Sequence, residues 1–198
     1  MAPLVVPPKR PKTLLPKARI LLGIDPGTTV MGYGVVQQTG QALQAIQYGV
    51  IRLHRYATHA LKLQKIFTRV QSLVDDFMPD EVALEAPFYG NNVQSMLKLG
   101  RAQGVAMAAA LARDIPITEY APRKIKQAVT GNGNASKEQV AHMLLSLLQL
   151  PQMPDLLDAS DALAVAVCHA YQGAAAARQS TSWAQFLQQH PERVRSAT

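Results

Sequence analysis

The order of hydrophobic periods along the chain restricts the fold more than any other feature. An apolar run at Arg19–Asp25 and two alternating segments at 31–38 and 44–53 predict three strands, joined by tight turns as antiparallel hairpins. Apolar residues then recur every three or four positions between 63 and 77, which predicts an amphipathic helix. After this helix, strands and helices alternate. We therefore predict an α/β fold, a five-stranded mixed sheet flanked by helices on both faces.

The second half of the chain supplies the remaining elements of this sheet. Ser136 and Gln139 have the spacing of a capping box, which indicates where one of the helices begins. Prolines at 151 and 154 separate that helix from the last one. The predicted strands lie at 81–85 and 115–120, and the predicted helices at 93–113, 123–130, 136–149 and 156–171.

The two ends of the chain differ in composition from its body. Residues 1–18 contain five prolines, and we predict a flexible, Pro-rich basic arm there. Residues 19–172 form the predicted α/β domain. Residues 173–198 are predicted to be a loosely ordered tail, with Trp183, Phe186 and Leu187 on one face of a short helix.

Charge and cysteine content restrict the class of protein only weakly. The formal net charge is +7, but residues 1–19 carry five basic residues and no acid. A nucleic-acid-binding protein and a protein with a basic tail are therefore both compatible with this charge. Cys168 is the single cysteine, which favours a reducing, cytoplasmic environment. No apolar run reaches the ~18 residues that a membrane span needs, so we expect no membrane association.

Carboxylates lie where the apolar pattern would not place them. Asp25 and Glu85 each end a predicted buried strand, and ligands often bind at strand ends in open α/β sheets. Asp158 and Asp161 lie three residues apart at the start of the last helix, on one face. This pair has two interpretations: acids that stabilise a helix N-terminus, or ligands of a divalent cation. Four such acids could hold two Mg²⁺ ions that clamp a phosphodiester.

Five segments follow one another in a fixed order between Ile20 and Tyr171: GIDPGTTVMGYGVV, EVALEAPFYGNN, LKLGRAQGVAMAAAL, KQAVTGNGNASKEQVAHM and LLDASDALAVAVCHA. Together they resemble the RuvC family of Holliday-junction resolvases. The combination is specific, whereas any single segment would not be. The resemblance implies an RNase H-like fold and a homodimer that cuts two strands of like polarity in a four-way DNA junction.

The resemblance also implies roles for individual residues and for partners. It assigns metal binding and catalysis to Asp25, Glu85, Asp158 and Asp161, with Mg²⁺ or Mn²⁺ as the cofactor, two ions in each site. It implies a branch-migration helicase complex of the RuvA and RuvB type as partner, acting in DNA recombination and repair. The expected DNA contacts are an aromatic pair that stacks on bases and basic residues that bind phosphates: Phe88, Tyr89, Arg123, Lys124, Lys126 and Lys137.

Three other functions remain open on the sequence. DPGTT followed by Gly32 also resembles the first phosphate loop of actin-like and sugar-kinase ATPases, although no second such loop follows. An RNase H-like nuclease with another substrate would carry the same acids. A junction-binding protein without catalysis is disfavoured because all four acids are present.

Overall fold

A five-stranded mixed sheet forms the centre of the protein. The computed structural model describes residues 18–87, 92–152 and 157–179, with side chains through residue 173. The strands are β1 (Arg19–Asp25), β2 (Val30–Thr39), β3 (Ala42–Arg52), β4 (Glu81–Glu85) and β5 (Ile117–Tyr120). The helices are α1 (His59–Phe77), α2 (Val93–Leu111), α3 (Pro122–Thr130), α4 (Lys137–Leu147) and α5 (Leu157–Gln179), and a 3-10 turn spans Leu53–Arg55.

The strand order is β3-β2-β1-β4-β5. β1, β2 and β3 pair antiparallel, whereas β4 and β5 run parallel to β1. The C-terminal ends of β1, β4 and β5 therefore meet at one edge of the sheet, together with the start of β2 and the end of β3. We call this edge the upper edge.

Helices cover both faces of the sheet, as the sequence predicts. Because side chains alternate along a strand, Leu21 of β1 lies on one face of the sheet, and Leu22 and Ile24 lie on the other. Leu21 packs in a core with residues of α3, α4 and α5, and Leu22 and Ile24 pack in a second core with α1 and α2. The predicted mixed sheet with two helical layers is confirmed.

Glycines let α5 lie unusually close to the sheet. A Cβ on Gly23 would lie 2.2 Å from the carbonyl oxygen of Ala162, and one on Gly32 would lie 1.9 Å from that of Asp158. Real Cβ atoms do not approach a backbone atom so closely, so only glycine permits this contact. The close approach fixes the first turns of α5 against β1 and β2.

Two helices are longer than the sequence predicts. α1 begins at His59 rather than near 63, because the Thr58 side chain accepts a hydrogen bond from the Leu61 amide and caps the helix. α5 continues to Gln179, eight residues beyond the predicted end, through an alanine-rich segment that favours helix. Residues 173–179, predicted as part of the tail, are thus helical.

Other predictions lie outside the described residues. These are the basic arm predicted over residues 1–18, of which only residue 18 is described, and the helical face of Trp183, Phe186 and Leu187. Among the described helices, none is both long and apolar enough to cross a membrane.

Candidate active site

The strand pattern places Asp25 and Glu85 side by side on one face. β1 and β4 are parallel neighbours with Ile24 opposite Leu84, so the next residues, Asp25 and Glu85, both lie at the upper edge. Residue 25 has the same parity as Leu21, and Glu85 the same parity as Ala83, both of which pack in the α5 core. The two carboxylates therefore project towards α5.

α5 supplies the other two predicted acids at the same place. Asp158 and Asp161 lie in its first two turns, where the backbone of Asp158 rests on Gly32 of β2. Gly32 is the direct β-sheet partner of Asp25, so the glycine contact brings the helix start next to β1. Both Asp158 and Asp161 interact electrostatically with Asp25. The structure thus brings all four predicted acids to one region, which we call the carboxylate cluster.

A cavity of about 460 Å³ opens beside this cluster. Asp25, Glu85 and Asp161 line it together with two of the predicted basic residues, Lys126 and Lys137. Lys126 comes from α3, and Lys137 is the first residue of α4. The wall of the cavity therefore combines acidic and basic groups from two strands and three helices.

Buried like charges dominate the electrostatics of the cluster. Burial, and after it the neighbouring Glu85 and Asp161, raises the pKa of Asp25 to about 8. Burial and Asp161 also raise the pKa of Glu85 above its ordinary value. Lys137 acts against both shifts and forms an ion pair with Asp161. The ammonium of Lys137 is thus a counter-ion for this group of acids.

The side chains of the cluster are not gathered around a single point. Within residues 18–87, 92–152 and 157–173, no three acidic, histidine or cysteine side chains form a group compact enough to hold a metal ion. The oxygen-only donor set nevertheless fits a hard divalent cation, which would neutralise the charges that now oppose one another.

None of the other four predicted DNA contacts lines the cavity in the part of the chain that the structure describes. Arg123 and Lys124 are on α3 but lie outside the lining of the cavity; the Lys124 ammonium lies 5.2 Å from the ring centre of Tyr120. Phe88 and Tyr89 lie outside the described residues.

The sequence analysis missed a buried polar network at the other end of β4. The His169 ring lies between the Tyr120 hydroxyl, 2.8 Å from Nδ1, and the Glu81 carboxylate, 2.7 Å from Nε2. Arg19 forms an ion pair with the same glutamate. A neutral imidazole that donates to Glu81 and accepts from Tyr120 satisfies all three groups. The alternation in EVALE puts Glu81 and Glu85 on the same face of β4, and this pattern could have indicated a second half-buried carboxylate at the start of the strand.

Comparisons with known proteins agree with this architecture. The family model for Crossover junction endodeoxyribonuclease RuvC matches residues 21–169. The chain is 55% identical over 186 residues to the protein of that name from Cytophaga hutchinsonii, covering 94% of this chain and 92% of the relative. It is 56% identical over 187 residues to that from Porphyromonas gingivalis, covering 91% and 99%.

A solved structure extends the agreement to three dimensions. T. thermophilus RuvC in complex with Holliday junction substrate superposes with a TM-score of 0.75 at 31% sequence identity, covering 80% of this chain and 96% of that one. These matches span the sheet and both helical layers, which decides against the ATPase alternative. The strand order, the acids at its upper edge and the sequence matches together show that the chain belongs to the RuvC family of crossover junction endodeoxyribonucleases.

Proposed function

We propose that this protein resolves four-way DNA junctions by metal-dependent phosphodiester hydrolysis on two strands of like polarity, in recombination and repair. One observation carries the proposal: Asp25, Glu85 and Asp161 line one cavity together with two lysines. Asp158 is close enough to interact electrostatically with Asp25. The solved relative with a Holliday junction substrate supports the choice of DNA substrate.

The four acids are the proposed metal ligands. Nucleases of this family are metal-dependent. Carboxylate oxygens suit Mg²⁺ or Mn²⁺, and four of them could hold two ions, which would polarise the scissile phosphate. Asp25 and Glu85 would hold the ions from the rigid sheet, and Asp158 and Asp161 from α5. The elevated pKa values of Asp25 and Glu85 support this role, because a cation would favour their charged forms.

Lys126 and Lys137 are the proposed phosphate contacts at the cut. Both line the cavity, and Lys137 already pairs with one of the acids. A lysine ammonium is a point charge on a flexible stem, so it can move from a carboxylate to a phosphate oxygen over a short distance. Arg123 and Lys124 on α3 would extend this basic surface, and Phe88 and Tyr89 would stack on bases near the junction centre.

We also propose a homodimer that forms through α2. An exposed apolar stripe runs along this helix, with Leu97 and Leu111 each 52% exposed. Nothing lies within 4 Å of a Cβ built at Gly100 or Gly104, so the glycines face away from the sheet and leave room for a second helix. The exposed residues of the stripe are Val93, Leu97, Gly100, Gly104, Ala108 and Leu111.

A charge on this stripe should separate the subunits. We expect Leu97→Glu to weaken dimerisation at least ~100-fold, because burying an unpaired carboxylate costs several kcal/mol. Sedimentation velocity at micromolar concentration should then show a dimer for the wild type and a monomer for the variant. Leu61→Glu, at an exposed leucine of α1, is the matched control and should remain dimeric. A monomeric wild type would contradict the proposal.

The cellular setting is inferred from the family. A branch-migration helicase complex of the RuvA and RuvB type is the proposed partner. A cytoplasmic location, where bacterial DNA is accessible, belongs to the same proposal.

The direct test is cleavage of a synthetic four-way junction. We expect the wild type to cut it in symmetric pairs with Mg²⁺ or Mn²⁺, because the acids then hold the ions that polarise the phosphate. With EDTA the junction should be bound but left intact. A linear duplex of the same sequence is the substrate control and should be cut at least ~100-fold more slowly. Equal cutting of duplex and junction would overturn the junction specificity.

A further inference from the structure

One long segment of the chain carries positive charge without any acid. From Pro26 to Val74 the sequence contains no Asp or Glu, and its basic residues are Arg52, Arg55, Lys62, Lys65 and Arg69. Basic residues on a protein surface are normally interspersed with acids, so an uncompensated stretch of this length creates a local positive potential.

The fold gathers four of these basic residues around one cavity. Arg52 at the end of β3, Arg55 in the 3-10 turn, and Lys65 and Arg69 on α1 line a pocket of about 370 Å³. Its other lining residues are Val50, Ile51 and Tyr56, so no carboxylate contributes to the wall. We call this the basic pocket. Within the described part of the chain, no ion pair forms to any of its four cations.

Arg69 is held in place by groups that leave its charge uncompensated. Its Nη2 donates to the Tyr33 hydroxyl at 3.0 Å, and its guanidinium carbon lies 5.1 Å from the centre of the Tyr33 ring. Tyr33 is itself buried and fits because residue 49 is glycine: a Cβ there would lie 2.8 Å from the hydroxyl. A neutral phenol and a π-face orient the cation for a ligand without neutralising it.

The basic pocket lies on the same edge of the sheet as the carboxylate cluster. β3 is two strands from β1, which corresponds to roughly 10 Å at the usual strand spacing. The amides of Leu53 and His54 donate to the carbonyl of Thr29, and the Lys62 ammonium donates to that of Thr28. The loop after Asp25 therefore joins the cluster to the pocket, and Lys62 continues the positive charge between them.

These observations identify the chemistry of the ligand. The carboxylate cluster faces α5 and the basic pocket faces α1, so a polyanion that leaves the cluster over the upper edge of the sheet would meet the basic pocket next. DNA presents a phosphate every ~3.4 Å along each strand. We propose that Arg52, Arg55, Lys65 and Arg69 bind the sugar–phosphate backbone of a junction arm, away from the phosphates that are cut. The proposal rests on the proposed function, since it takes the DNA junction as the ligand.

The salt dependence of DNA binding tests this assignment. Each lost phosphate contact should flatten the slope of log K against log[salt] by about 0.9, so Arg55→Gln should change it by about that amount. The triple variant Arg52→Gln/Arg55→Gln/Lys65→Gln should change it by about 2–3 and weaken binding on the order of 10²-fold at 0.1 M salt. Fluorescence anisotropy with a labelled four-way junction in EDTA measures both quantities. Arg69 is retained because it packs on Tyr33.

Arg113→Gln is the matched control for the loss of one charge. Arg113 pairs with Asp75 on the exposed surface at the ends of α1 and α2, so its removal should leave the slope unchanged. An unchanged slope in the triple variant would overturn the proposal and would leave a protein partner as the use of the pocket. Failure of the wild type to cut junctions would instead contradict the nuclease proposal, whatever the slopes show.

Discussion

Asp25→Asn should reduce four-way junction cleavage at least about 10³-fold while junction affinity changes less than about threefold. The substitution keeps the size of the side chain but removes the negative charge that would hold the metal ions. Loss of about 4 kcal/mol of transition-state stabilisation corresponds to this factor. Single-turnover cleavage with Mg²⁺ and anisotropy with the same labelled junction give the two values.

The same variant should be more stable than the wild type in the absence of metal. The pKa of Asp25 is about 8 in the folded protein against 3.8 for an exposed aspartate. Between pH 3.8 and pH 8 the Asp25 carboxylate therefore takes up a proton when the metal-free protein folds. The stability of the metal-free wild type should therefore fall as pH rises from about 4 to about 8, whereas the asparagine of the variant does not titrate. At pH 8.5 we expect a melting temperature roughly 5–10 °C higher for the variant. A variant that both cuts normally and melts like the wild type would refute the assigned role.

Gly32→Ala should destabilise the fold and impair the site together. Its new Cβ would lie 1.9 Å from the Asp158 carbonyl oxygen and 2.7 Å from its carbonyl carbon. Both are backbone atoms, so α5 must move away from β2 and carry Asp158 with it. We expect a loss of about 3 kcal/mol or more in unfolding free energy and at least about 10²-fold in cleavage rate. Urea denaturation and single-turnover cleavage measure the two effects.

Gly34→Ala, two residues further along the same strand, is the control for this effect. Its Cβ would lie 2.8 Å from Cδ2 of Leu163 and 3.0 Å from the Cγ and the backbone nitrogen of that residue, so the overlap is much smaller than the 1.9 Å contact at residue 32. We expect a smaller loss of stability, about 1–2 kcal/mol, and a cleavage rate within about fivefold of the wild type. If the alanine at 34 were as harmful to cleavage as that at 32, displacement of Asp158 would not be the cause.

The sequence predicted those features that depend on local pattern. The bounds of β1 and β4 match the structure because each is a short apolar run that ends in a carboxylate. Asp25 and Glu85 could be singled out in advance because each carboxylate ends a predicted buried strand, where ligands often bind in open α/β sheets. That their strands are parallel neighbours is known only from the structure. The predicted family is confirmed by the match over residues 21–169.

Features that depend on contacts between distant segments could not be predicted. The pairing of Lys137 with Asp161 joins two helices, and nothing in either segment indicates it. The same holds for the close contacts of Gly23 and Gly32 with α5, because a glycine in a strand does not reveal which backbone approaches it. The basic pocket could have been suspected from the acid-free stretch, but its cavity also requires residues of α1 to lie beside the end of β3.

α5 both completes the core and carries two of the four acids of the carboxylate cluster. It packs against four strands and two other helices, and residues from Ala162 to Ala170 are almost completely buried. Amide groups so enclosed exchange with solvent only when the whole molecule opens. The two aspartates at its start are therefore anchored to the slowest-exchanging part of the protein. Displacement of these aspartates therefore requires the buried core around α5 to open, which couples the geometry of the site to the stability of the native state.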